Sequence, residues 1–224
     1  MLLWASSFLT IPTKSGNFYR IYFFYDMKCI LRLAIFLLIC NTVQAQSFEE
    51  QTKIFRNHYK EEFLTSKNSP LQKDDLNHLR FFAPDSTYRV TAVFKRIQKS
   101  RPFEMPTYSD MNKTYVKYGQ LKFRLHGKKQ SLTVYRSLSL QSLPQYRDYL
   151  FLPFKDKTNG IDSYGGGRYI DLRTGDIKNN TVVLDFNKAY NPYCAYSEGY
   201  HCPIPPLDNH LTASIEAGEM NFEK

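Results

Sequence analysis

The chain has 224 residues, with 30 Lys and Arg against 21 Asp and Glu, a formal net charge of +9. The basic residues are scattered, with only short clusters such as Lys128-Lys129. That pattern excludes the basic stripe on which a nucleic-acid groove depends.

Residues 1–26 show neither an amphipathic period nor a capping pattern. Residues 27–47, MKCILRLAIFLLICNTVQAQS, carry the parts of a secretory signal in order. Lys28 and Arg32 supply the positive region, Leu33 to Cys40 the apolar run, and Val43-Gln44-Ala45 the small-residue cleavage site. The apolar run is far shorter than the roughly 20 residues of a membrane span. Lipidation at Cys40 is disfavoured by the bulky Ile39 before it. The expectation is therefore a start at Met27, with 1–26 a mis-called extension (an unusually long positive region is the alternative). Residues 27–45 would be the signal peptide, and 46–224 a single exported domain, periplasmic or secreted, of bacterial origin. Without Lys14, Arg20, Lys28, Arg32 and Asp26 that domain keeps 26 basic and 20 acidic residues, a net +6. Such a surface is solvated and mildly attracted to anionic envelope polymers.

The domain opens with SFEEQTKIFRNHYKEEFLTSKNSPL. Ser47 and Glu50 match a capping box. Phe48, Ile54, Phe55, Tyr59 and Phe63 recur near the helical period, predicting an amphipathic helix over about 48–64. KDDLNHLRFFAP reads as a helical turn leading to Phe81-Phe82. From Tyr88 the period changes to two. YRVTAVFKRI places Tyr88, Val90, Ala92, Phe94 and, at its end, Arg96 on one side. KTYVKYG, QLKFRLHG and SLTVYRSL come next, with Gly119-Gln120 and Gly127-Lys128 as turn signals. YLFLPF and TVVLDF are continuously apolar and are expected as inner strands. Alternation of this kind marks antiparallel strands. The fold class is mainly β, an antiparallel barrel-like or sandwich domain with an N-terminal amphipathic helix.

Gly165, Gly166 and Gly167 then precede Arg168. No Gly-Lys-Ser/Thr opens a helix here, so a phosphate loop is disfavoured. The glycines form either a strand-turning bulge or a ligand-facing loop. Arg168 enters an apolar strand, where a guanidinium needs a carboxylate or carbonyls. Asp156, Asp162, Asp171 and Asp185 are the nearby candidates, with Asp185 preferred. The rival role for Arg168 is a clamp on an anionic ligand.

NPYCAYSEGYHCPIPP holds Cys194 and Cys202, the two cysteines of the exported part. Their parity and compartment favour a disulfide. Free buried thiols, zinc held by Cys194, His201 and Cys202, and a Cys–His nucleophile are the alternatives. Zinc is disfavoured because neighbours 201 and 202 point apart and no C-x-x-C spacing exists. Pro203, Pro205 and Pro206 stiffen the chain beyond the second cysteine. The stretch reads as a stapled lid over one end of the β-structure, its backbone satisfied by the carboxamides of Asn187, Asn191 and Asn209.

YGGGRYIDL, LDFNKAYNPYCAY, CPIPPLDNHL and IEAGE stand in the order and spacing of a bacterial family catalogued as domain of unknown function 1684. The chain resembles a compact member over about residues 48–223. Ser163 stands where threonine is common, and His210 follows Asn209 where other residues occur. The resemblance carries no established activity. It implies that Tyr164, Gly167, Arg168, Asp185, Asn187, Asn191, Cys194, Cys202, Asn209 and Glu219 form one spatial cluster.

Three functions fit. The first is binding of a small or polymeric cell-envelope ligand through Tyr164, Gly165, Gly166, Gly167, Arg168, Asn187, Asn191 and Asn209. The second is a hydrolase with Asp185 or Glu219 as general base. The third is a structural or interaction protein whose motifs hold the fold. No metal, cofactor or nucleic-acid partner is expected, and no membrane span once the signal is removed.

Overall fold

The computed structural model describes residues 6–12, 18–24, 47–109 and 111–223. The chain divides into two units, Met1–Ser47 and Phe48–Lys224. In the first, β1 (Ser6–Pro12) and β2 (Phe18–Phe24) pair antiparallel, with Ser6 opposite Phe24. Residues 27–45, expected to be a signal peptide, lie outside the described residues. Among the described residues no helix is long and apolar enough to cross a membrane.

The second unit begins with α1 (Phe48–Thr65). Phe48, Thr52, Phe55, Tyr59 and Phe63 step by three or four and so share one face. Thr52 and Phe63 are buried, and the other three are half-buried. Thr52 satisfies its hydroxyl on the Phe48 carbonyl at 2.8 Å. Ile54, expected on this face, is 61% exposed. It lies one residue, about 100° of turn, from Phe55 and falls off the stripe.

Among the described residues seven strands follow, with a short helix at Leu138–Gln141 and several 3-10 turns between them: β3 (Arg89–Arg96), β4 (Phe103–Met105), β5 (Lys113–Leu125), β6 (Lys128–Ser137), β7 (Tyr149–Phe154), β8 (Arg168–Arg173) and β9 (Thr181–Asp185). They form one antiparallel sheet in the order β8-β7-β6-β5-β3-β9, with β4 added to β5. The sheet curls into a half-barrel, the mainly-β class expected. Gly119 does not end a strand as expected. It sits at a bulge within β5, where the register with β6 shifts after Lys117. The Phe94 ring occupies the place where a Cβ would stand, so glycine is required by packing. The β5–β6 hairpin is a two-residue turn of His126 and Gly127, both with positive φ, as a primed turn demands.

Leu150, Leu152 and Phe154 of β7 and Ile170 and Leu172 of β8 point into the half-barrel, beside Leu121, Phe123, Leu125 and Val134. The alternate residues Phe151 and Tyr169 lie on the outer face, packed with Met105, Tyr115 and Tyr135. Both faces of β7 are therefore covered, which explains the unbroken apolar run YLFLPF. TVVLD is not an inner strand: β9 ends the sheet order, and Val183 is 57% exposed. A third cluster of Phe63, Leu71, Leu76 and Leu79, with Tyr59, Tyr193 and Tyr196 against it, seats α1.

Candidate functional site

Arg168 is the largest fully buried side chain. One terminal nitrogen donates to Asp156 Oδ2 at 2.8 Å and to the Ile215 carbonyl at 2.7 Å. The other donates to the carbonyls of Ala217 at 2.6 Å and Glu219 at 3.1 Å. The carbonyls of alternate residues of IEAGE, which bends at Ala217-Gly218, thus converge on one guanidinium, pinning the C-terminal segment into the half-barrel. Asp156 Oδ1 accepts from the Thr158 amide and hydroxyl and from the Ile215 amide. The buried charge is paired and its partner fully bonded, as burial demands. Asp185 is not the partner: it ion-pairs with Arg89 at 3.2 Å. It ends β9, at the opposite edge of the sheet from β8.

Gly167, just before Arg168, has φ +96°, and a Cβ there would meet the Phe154 carbonyl at 2.8 Å and Pro205 at 2.7 Å. Only glycine fits that turn.

The three buried asparagines satisfy irregular backbone. Asn209 lies between β6 and β7, which pair in register only at Tyr135 and Phe151. Its carboxamide accepts from the Thr133 amide at 2.7 Å and donates to the carbonyls of Thr133 and Pro153. It replaces the ladder where Pro153 has no amide to give. Asn187 holds both the amide and the carbonyl of Asp85 and touches Asp185. Asn191 donates through its side chain to the Met220 carbonyl and through its amide to Glu219 Oε2.

Glu219 is fully buried. Its oxygens accept from Tyr196 at 2.6 Å, Tyr59 at 2.9 Å and the Asn191 amide at 2.9 Å. No cation faces its carboxylate among the described residues. Burial raises its pKa to about 7, against the lowering effect of those donors.

Cys194 and Cys202 form a disulfide, which consumes the thiols of the zinc and nucleophile alternatives. The closed loop is docked from several sides. The Tyr108 amide donates to the Cys202 carbonyl and the Ile204 amide to that of Pro106. Tyr169 donates its hydroxyl to the Pro203 carbonyl. Tyr164 reaches the Cys194 carbonyl, and Tyr108 the Gly166 carbonyl. His201 Nδ1 lies 2.6 Å from Ser109 Oγ. Among the described residues no group of three or more His, Cys, Asp or Glu is placed to hold a metal.

An open groove of about 760 Å³ runs between this loop, α1 and the outer face of β7 and β8. Phe55, Tyr59 and Phe63 wall it from α1, and Tyr149, Phe151 and Tyr169 floor it from the sheet. Tyr190, Tyr193 and Tyr200 close it from the loop side. Asp171 also lines it, and its Oδ1 accepts two phenolic hydroxyls, from Tyr149 and Tyr190, each at 2.7 Å. Tyr190 is brought there by a reciprocal backbone pair with Tyr169, at 2.9 and 3.0 Å. Asp171 Oδ2 has no hydrogen-bond partner among the described residues, and the residue is exposed to the groove. Asp171 as a residue keeps exposed surface, yet its carboxylate stands among dense protein, and that burial raises its pKa despite the two donated bonds. Lys113, Arg173 and Lys188 also line the groove. Arg173 is bound to Asp148 at 2.7 Å, and burial lowers the pKa of Lys113.

Arg168, Asn191 and Glu219 therefore come together, as do Tyr164, Cys194 and Cys202. Asn209 and the Asp185–Asn187 pair make separate junctions. Asp171, Tyr149 and Tyr190 were not among the sites expected from sequence. The signal was present: in YIDL, Asp171 falls on the opposite face of the strand from Ile170 and Leu172.

No match is found among curated proteins. Among solved structures, the solution NMR structure of an uncharacterised protein of Haloarcula marismortui is 33% identical, with a TM-score of 0.60. The match covers 77% of this chain and 93% of that one. The family described as protein of unknown function (DUF1684) matches residues 74–220, which include every buried polar junction of the half-barrel except the helix residue Tyr59. The chain belongs to that family.

Proposed function

We propose that this is an exported ligand-binding domain whose site is the aromatic groove between α1 and the outer face of β7 and β8. The observation that carries the reading is the half-used carboxylate of Asp171. Two tyrosines fix one oxygen, and the other is left to a ligand. Ligand sites are concave, mostly apolar and supplied with a few converging polar groups, and they span roughly 300–1,000 Å³. The groove meets each of these terms.

In this reading Arg168, Asn187, Asn191 and Asn209 do not touch the ligand. The hydrogen bonds that each makes are to the chain itself, and together they fix the frame from which the groove is built. Tyr164 and Gly165 to Gly167 act behind the disulfide loop, holding the wall that carries Tyr193, Tyr200 and His201. Asp185 and Glu219 have structural parts, since each carboxylate is engaged by protein donors and Glu219 is closed to solvent. Export is supported by the signal-like composition of residues 27–45 and by a disulfide, which persists where thiols oxidise.

The test is a fragment screen read by amide NMR. Hits should move the resonances of Tyr149, Asp171, Tyr190 and His201 together. Hits that cluster elsewhere, or a groove that responds to none, would remove the reading.

A further inference from the structure

We propose that the groove takes a saccharide, with an apolar sugar face against the tyrosine rings and a sugar hydroxyl donating to Asp171 Oδ2. The proposal rests on the groove being the binding site, and it is drawn from what Asp171 tolerates. Its Oδ1 is occupied by Tyr149 and Tyr190. A ligand that covered Oδ2 without a donor would strand a desolvated carboxylate, a heavy cost. The walls alone would suit a fatty acyl chain or a flat aromatic molecule, but neither brings that donor. An anionic group placed there would meet like charge.

A cationic ligand brings the donor, and Asp171 and Glu62 attract it, but Lys113 and Lys188 stand in the same groove and oppose it, while Arg173 is spent on Asp148. Neither Lys113 nor Lys188 ion-pairs with a carboxylate among the described residues. Uncharged donors remain, and hydroxyls are the common ones. A ligand dense in hydroxyls that also offers flat C–H faces is a sugar. Tyrosine suits such a ligand. Its ring buries apolar area, its hydroxyl bonds, and ordering it costs little entropy. Tyr146 and Tyr149 form such a rim, packed edge to face with centroids 5.8 Å apart. The volume of about 760 Å³ admits a short oligosaccharide rather than one ring. The unpaired lysines can receive an acidic substituent elsewhere along it.

Calorimetric titration of the full chain with cellotetraose, chitotetraose and tetragalacturonate tests the class. Myristate and an anilinonaphthalene sulfonate dye serve as the non-sugar probes. At least one tetrasaccharide should bind, and Asp171→Ala should weaken it at least tenfold. Because that change orphans two tyrosine donors, a urea melt checks folding. Tyr146→Ala, on the half-buried rim, should weaken sugar binding without altering the melt. Sugar binding untouched by both substitutions overturns the proposal. So does binding of the dye or myristate in the groove with none of the sugars, although the groove reading then stands. Silence from every probe removes both.

Discussion

Replacing Arg168 with leucine tests how the half-barrel is held shut. Arg168 and Asp156 are both without exposed side-chain surface, 2.8 Å apart. Removing one member of such a pair leaves an orphan buried charge, at a cost of about 3–5 kcal/mol. The carbonyls of Ile215, Ala217 and Glu219 lose their guanidinium donors as well. Each buried acceptor left bare adds about 1–3 kcal/mol where it finds no other partner. The expected loss is therefore at least about 5 kcal/mol, against a total stability of roughly 5–15 kcal/mol for a domain. Arg168→Leu should be barely folded in water. Urea denaturation of Arg168→Leu, Asp156→Asn and the double variant should then show coupling of about 0.5–3 kcal/mol, as for residues in one network. The same cycle with Asp185→Asn should be additive within about 0.5 kcal/mol, because Asp185 belongs to Arg89. An Arg168→Leu protein within about 1 kcal/mol of wild type would refute the reasoning, as would coupling to Asp185 in place of Asp156.

Glu219 sets a pH dependence of definite sign. Its folded pKa of about 7 lies above the ordinary 4.5, so between those values the native state holds a proton that the unfolded state has lost. Stability from this group falls as pH rises through that window, by about 3 kcal/mol at most, and is level above it. Urea melts of Glu219→Gln should gain on wild type from pH 5 to pH 8; an equal difference at both pH values would count against the shift. Native alkylation should label neither Cys194 nor Cys202 until reductant is added, and Cys202→Ser should cost roughly 2–3 kcal/mol for the loop it opens. Asn209→Ala should expose the Thr133 amide to exchange and cost about 1–3 kcal/mol per backbone group left bare; protection unchanged at Thr133 would contradict the bridging role.

Much of this frame could be read from local pattern. Alternation in VTAVF and LKFRL gave the half-buried strands, and Arg168 after three glycines gave a buried guanidinium. The carboxamides of Asn187, Asn191 and Asn209 were expected to satisfy irregular backbone, and they do. What failed needed tertiary knowledge. Asp185 is as near Arg168 in sequence as many true partners are, but sheet order places it at the far edge. Gly119 reads as a turn unless the ring of Phe94 is known to lie across it. The groove was the least legible feature. Its lining joins Asp171 to Tyr149 and Tyr190, residues 22 and 19 positions away. Each alone resembles an ordinary surface residue of a strand or loop. Their meeting depends on the β7–β8 register and on the return of the chain to Tyr169.

A co-crystal structure with the tightest-binding tetrasaccharide is the most direct measurement. The account predicts a sugar hydroxyl within hydrogen-bonding distance of Asp171 Oδ2, between Tyr149 and Tyr190, with Arg168 still bound to Asp156. A sugar seated elsewhere, or one in the groove that leaves Asp171 untouched, would contradict it.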